Sequence, residues 1–203
     1  MHTPYTKDHK IVPRVFRALC PLFGQAPATT LIVDGGLEHL TESDWAAVFK
    51  TFHRLEHIVF DGAGGLTAMF RGLRRTSDEA PHCCPRLSVV EMDPKSPRIV
   101  ATDCLFDSML SALSVRAEKG LHLERVHLGL VHDTEDHYPK NEAMYGERLR
   151  ALVPCVEYFS TCTSEVPRMV CRCQVDVQSY DVGIGSLSKP IMRLSSMRPR
   201  KEV

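Results

Sequence analysis

Ten histidines and eight cysteines are the side chains of this 203-residue sequence best able to ligate a metal or attack a substrate. Their spacing argues against both roles. The cysteines stand at 20, 83, 84, 104, 155, 162, 171 and 173. A structural zinc site draws on close pairs such as Cys-x-x-Cys joined by a second Cys or His pair. Here the close pairs are adjacent (Cys83 and Cys84) or one residue apart (Cys171 and Cys173), so free thiols are expected. His132, Asp133, Glu135, Asp136 and His137 offer cation ligands at short range. A calcium loop, however, needs ligands at alternate positions, a central glycine and a distal glutamate, so a surface loop is expected there. No His-Glu-x-x-His pattern occurs among the histidines. Gly62-Ala63-Gly64-Gly65-Leu66-Thr67 approaches a dinucleotide loop but carries Thr67 where the third glycine must admit close helix packing. A strand-to-helix turn is the expectation. Gly183-Ile184-Gly185-Ser186-Leu187 places its serine one residue late for a nucleophile elbow, and no nucleoside-triphosphate loop motif is present. No catalytic, cofactor-binding or metal-ligating residue is assigned, and the chain is expected not to be an enzyme.

Composition narrows the remaining classes. Twenty-five lysines and arginines balance 25 aspartates and glutamates, a formal net charge of zero. A nucleic-acid binder usually shows a basic excess, so none is expected as partner. The apolar share of 43% suits a globular chain. No run approaches the roughly 18 apolar residues that span a bilayer, and Met1–Asp8 lacks the apolar core of a signal peptide. A soluble, intracellular chain, cytoplasmic or nuclear, is expected, with its thiols reduced.

Chemistry that is not carried by single residues must come from surfaces, and the elements that build them repeat. Four segments share the spacing apolar-x-x-apolar-x-apolar: Ala28–Val33, Leu55–Phe60, Leu87–Met92 and Leu123–Leu128. Their first residues, 28, 55, 87 and 123, lie 27, 32 and 36 apart. Each is short, aliphatic or β-branched, and followed by turn residues, which predicts a strand. Helical spacing fills the intervals. Ser43 is expected to cap a helix with Trp45, Val48, Phe49 and Phe52 on one face, Trp45 facing the core. Leu66, Met69, Phe70 and Leu73 predict a second helix. Asp103 is expected to cap a third, with Phe106, Met109, Leu110, Leu113 and Ala117, ending near Gly120. Asn141 is expected to cap a fourth, carrying Tyr145, Leu149 and Leu152 and stopping ahead of Pro154. Val12, Val15, Phe16 and Leu19 predict a lead-in helix.

Strand followed by helix, four times, implies an α/β fold of parallel strands with helical crossovers. The recurring Leu-x-x-Leu-x-Leu spacing predicts an irregular leucine-rich-repeat-like solenoid, and a doubly wound α/β sheet is the alternative. Three regions follow: a lead-in cap over 1–27, the strand–helix array over 28–159, and an edge strand with a mobile tail over 160–203. Val156–Phe159 is a fifth, terminal strand candidate, Val170–Val177 alternates as an edge strand would, and the cationic tail bearing Arg193, Arg198, Arg200 and Lys201 is expected to be solvated from about Gly183 onward.

The run from Val12 to Phe159 resembles the leucine-rich C-terminal portion of F-box-type proteins abundant in mushroom-forming fungi. The likeness rests on Phe16–Phe23 leading into Thr30–Val33, Asp44–Phe49 before Leu55–Ile58, Cys84–Leu87, and Leu110–Arg116 followed by Gly120–Val126. It implies a repeat array that recognises a protein substrate, the recognition part of a ubiquitin-ligase adaptor. In the family an F-box docks on a Skp-type adaptor. Residues 1–27 are too few for that three-helix box, so such an adaptor is expected as partner only of a longer form that carries it.

The expected function is therefore non-enzymatic protein binding through the strand face, with a small nucleotide-binding α/β enzyme or a truncated remnant as alternatives. No cofactor is expected. Glu56, His57, Glu91, Glu124, Arg125 and His127 are the predicted protein-binding residues, because alternate strand residues face outward and these carry charge of both signs.

Overall fold

Short β-branched runs separated by capped amphipathic helices fold into parallel strands alternating with helices. The computed structural model describes residues 17–18, 20–22, 26–34, 37–61, 65–79, 83–92, 99–100, 102–131, 142–160 and 191–195. The four repeated segments become Thr30–Asp34 (β1), His57–Asp61 (β2), Val89–Met92 (β3) and Arg125–Val131 (β5). The terminal candidate becomes Cys155–Ser160 (β6). Two strands were not anticipated: Ile99–Val100 (β4), and Ile191–Ser195 (β7), which lies in the stretch expected to be solvated tail. The Gly62–Gly64 turn, the His132–His137 loop, Val170–Val177 and Gly183–Leu187 lie outside the described residues.

Every strand pairing is parallel. Neighbours run β7–β1–β2–β3–β5, with β6 and the two-residue β4 both pairing to β5. The repeats stay in step although their lengths differ, because the same backbone device recurs at each entry to the sheet. The Thr29 carbonyl accepts from the N–H groups of Glu56 (2.8 Å) and His57 (3.0 Å). The Glu56 carbonyl accepts from Ser88 (2.9 Å) and Val89 (3.1 Å), and that of Ser88 from Glu124 (2.7 Å) and Arg125 (3.1 Å). Extra residues in the longer repeats are thus absorbed elsewhere, and the strand starts remain aligned.

The helices are Glu42–Thr51 (α1), Leu66–Glu79 (α2), Asp103–Glu118 (α3) and Glu147–Leu152 (α4), the last entered through a π-helical turn at Glu142–Gly146. Of the three predicted caps, Asn141 lies outside the described residues and the other two shift toward the N-terminus. Thr41, not Ser43, caps α1: its hydroxyl accepts from the Asp44 N–H, and the Asp44 carboxylate accepts from the Thr41 N–H at 3.0 Å. This reciprocal capping box needs an extended residue just outside the helix, and Ser43 already lies inside the first turn. For the same reason Thr102, whose hydroxyl accepts from the Leu105 N–H at 3.2 Å, replaces Asp103 as the cap of α3. The far end of α3 closes as expected: Gly120 has φ +72°, its N–H donates to Ala117 O, and the Leu121 N–H donates to Arg116 O. That pair of bonds is a Schellman closure, which needs the left-handed residue glycine supplies. Of the predicted lead-in helix, only residues 17–18 and 20–22 are described, and they are helical.

Helix α1 packs on α2, α2 on α3, and α3 on α4, so the helices form one layer against the sheet. The approach of α1 to α2 is close enough to exclude a side chain: a Cβ on Gly72 would sit 2.7 Å from Trp45 Cβ and 2.8 Å from Glu42 O. Beneath this layer the alternate strand residues Leu31, Val33, Ile58, Phe60, Val90, Met92, Val126 and Leu128 are buried. Trp45 is fully buried against Phe49 and Phe60, with ring centroids 5.9 and 5.7 Å away, as its position on the apolar helix face predicts. At about 1.5–3 kcal/mol per fully buried large apolar side chain, this inner face is the main source of stability.

Candidate functional site

Period-two alternation sends the intervening residues to the other face of the same strands. Strand register arranges them in two rows. One row reads Ile32, Val59, Glu91, His127, Glu157 across β1, β2, β3, β5 and β6. The second reads Thr30, His57, Val89, Arg125, Cys155. The described residues of this face are half-buried or exposed, whereas their neighbours along β1, β2, β3 and β5 are buried beneath the helices. The face is divided. Ile32, Val59 and Val89 give its β1–β3 side aliphatic surface around His57, while Glu91, Arg125, His127 and Glu157 make the β3–β6 side charged.

Two histidine–glutamate contacts order the charged side. His57 Nε2 lies 3.0 Å from Glu91 Oε1, diagonally across β2 and β3. His127 Nε2 lies 3.4 Å from Glu157 Oε2, directly across β5 and β6. The close contact with His57 holds the Glu91 carboxyl below the usual carboxylate range, outweighing its partial burial, and His127 and Arg125 add to the effect. Burial pushes the His127 imidazole below its usual value, against the pull of Glu157 and Glu91 and with the help of Arg125. The result is an ionised Glu91 carboxylate beside an imidazole that resists protonation. Such a face offers fixed hydrogen-bond acceptors to a partner.

Of the six predicted binding residues, His57, Glu91, Arg125 and His127 come together on this face. Glu56 and Glu124 do not join the rows. Each sits one residue before its strand, where its backbone carries the register bonds, and their side chains lie at the N-terminal rim. Glu124 is exposed there, and Glu56 lies 3.9 Å from Arg86. Glu157, Ile32 and Val89 were not among the predicted binding residues. Extending the repeat to Val153-x-x-Val156-x-Tyr158 would have found Glu157, since it then falls at the position of Glu91 and His127.

Burial pushes the thiols of Cys20, Cys83 and Cys155 above their ordinary value, and that of Cys84 up to about 12. Cys84 is structural: Sγ lies 3.1 Å from the carbonyls of Phe49 and Phe52 at the end of α1, and its own carbonyl accepts from Arg116. Among the described residues no group of three His, Cys, Asp or Glu side chains could hold a metal ion. On the helical side, an open depression between α2 and α3 is lined by Arg71, Arg74, Cys104, Asp107, Ser108 and Ser111. Its Arg71 guanidinium is already engaged with Ser108 Oγ (3.3 Å) and Cys104 Sγ (3.1 Å). Among the described residues no helix is long and apolar enough to cross a membrane.

Set against known proteins, the chain matches no protein-family model, no curated protein and no solved structure.

Proposed function

We propose that the chain is a non-enzymatic protein-binding module, an irregular leucine-rich-repeat-like solenoid whose open strand face receives a protein partner. The observation that carries this reading is the pair of registered rows across five strands, aliphatic toward β1 and charged toward β6, with the described helices layered on the opposite side. The run β1–β2–β3–β5–β6, in chain order beneath one helix layer, supports a solenoid better than a doubly wound sheet, which places helices on both faces; β7 adds to the outer edge of β1. Mixed charge around an apolar patch suits a protein contact better than a small-molecule pocket. By its resemblance to the leucine-rich part of F-box-type proteins, the module would serve as the substrate-recognition part of a ubiquitin-ligase adaptor.

A photo-crosslinking amino acid placed at Val59 on the open face, and separately at Arg74 on the helical side, tests the reading in cells. Adducts to a partner are expected from Val59 and not from Arg74, and Glu91→Lys with His127→Glu should abolish them. Equal adducts from both positions, or a partner affinity unchanged by the charge reversals, would overturn it. A saturable rise in melting temperature with millimolar nucleotide would point instead to a nucleotide-binding enzyme, since only a bound ligand raises apparent stability by mass action.

A further inference from the structure

Resting on that reading, we infer that the partner presents an extended, basic segment that crosses the strands, setting one cation against Glu91 and a second against Glu157. The charge inventory points this way. Across β2, β3, β5 and β6 the open face carries the carboxylates of Glu91 and Glu157 against the guanidinium of Arg125. The rim sets Glu56 and Glu124 against Arg54 and Arg86, and Arg193 of β7 takes the register position beside Ile32. Glu91 and Glu157 occupy the same row with only β5 between them. Two strand spacings of about 4.8 Å separate them by about 10 Å. An extended polyproline-type segment repeats its side-chain direction every three residues, a rise of about 9.3 Å. Two cations three residues apart on such a segment therefore meet both carboxylates without distortion. The remainder of the segment would run over Val59 and Ile32, where half-buried aliphatic side chains accept apolar contact. Arg125 stands in the neighbouring row and opposes the same cations, which makes it a built-in brake on affinity.

The test is fluorescence anisotropy with a short dye-labelled proline-rich peptide bearing two arginines three residues apart, beside a counterpart with glutamates at those positions. The basic peptide should bind, and the acidic one should not. Glu91→Gln and Glu157→Gln should each weaken binding by about tenfold, the scale of one lost charge-assisted contact. Arg125→Gln should tighten it, an outcome that a merely structural role for this row would not produce. Unfolding midpoints of the variants confirm that each is folded. The inference falls if the basic peptide binds no better than the acidic one, or if both glutamine variants bind it as the parent does. These failures separate from failure of the underlying reading through Val59→Trp, which obstructs the face sterically. If the acidic peptide binds and Val59→Trp abolishes that binding, the face still binds protein and only the basic chemistry is wrong. If neither peptide binds and the crosslinks map to the helical side, both fall.

Discussion

Val59 and Phe60 are consecutive in the chain and lie on opposite faces of one strand. Phe60 is fully buried under the helix layer, while Val59 is half-buried in a row that ends in glutamate, histidine and glutamate. The same division recurs at every repeat: Val90 against Glu91, Val126 against His127. The buried inner positions Leu31, Val33, Ile58, Phe60, Val90, Met92, Val126 and Leu128 are all apolar, since a buried polar group without a partner costs about 1–3 kcal/mol or more. The outer face tolerates charge because water and opposed charges lower that cost. One strand thus meets two different demands with alternate residues, and the outer residues are free to vary with the partner.

Truncation should separate the faces most sharply. Phe60→Ala is expected to lower stability by about 3–5 kcal/mol, a loss that includes the cavity left against Trp45. Val59→Ala, one residue away, should cost less than about 1 kcal/mol. Urea unfolding followed by the fluorescence of Trp45, the single tryptophan, measures both. Equal losses would break the distinction between the faces.

Crowding the helix layer comes next. Gly72→Ala would ordinarily stabilise a helix by about 1 kcal/mol. Here the new Cβ meets Trp45 Cβ at 2.7 Å and a backbone carbonyl at 2.8 Å, so a net loss of about 1–3 kcal/mol is expected in the same assay. A gain would mean that α1 and α2 can part without cost.

A smaller effect is expected at the α1 cap, where Thr41→Ala should cost about 1 kcal/mol. The cap also carries a pH signature. Burial alone would raise the Asp44 carboxyl, but hydrogen bonds from Arg17, from the Thr41 N–H and from the Thr41 hydroxyl hold it below its usual range. Its contribution is therefore present above the unfolded value of about 3.9 and is lost as pH falls through the lower folded value. Glu91, held low by His57, follows the same sign.

The last effect belongs to the open face and lies at a higher pH. Because burial lowers the His127 value, the unfolded chain takes up its proton first, and stability declines as pH falls from about 6.5 toward the folded value. His127→Gln should remove this upper decline from a stability-against-pH curve and leave the carboxylate decline near pH 4 in place. A curve unchanged by that substitution would show that the imidazole is already hydrated and that the two faces differ less in burial than their packing indicates.

Much of the architecture was legible from local pattern. A strand's period of two and a helix's period of 3.6 are written in the spacing of apolar residues, so Leu31, Ile58, Val90 and Val126 announce the inner face, and Leu66, Met69, Phe70 and Leu73 the helix that covers it. Gly120 announces the end of α3, since only glycine takes its left-handed position without strain. The caps were displaced because the capping residue is defined by its backbone conformation, and Thr41 competes with Ser43 at the same helix start. What the sequence could not decide was register. Which outer residue faces which depends on the distance between strands in space, where intervals of 27, 32 and 36 residues become identical steps of one strand spacing. Glu91, His127 and Glu157 share a row only because the carbonyls of Glu56, Ser88 and Glu124 align successive strands. Ile191–Ser195 joins β1 across more than 150 residues of chain, a pairing that no local pattern encodes. Alternation along each strand is a property of the covalent chain, whereas adjacency between strands is set by the hydrogen bonds and packing of the folded whole.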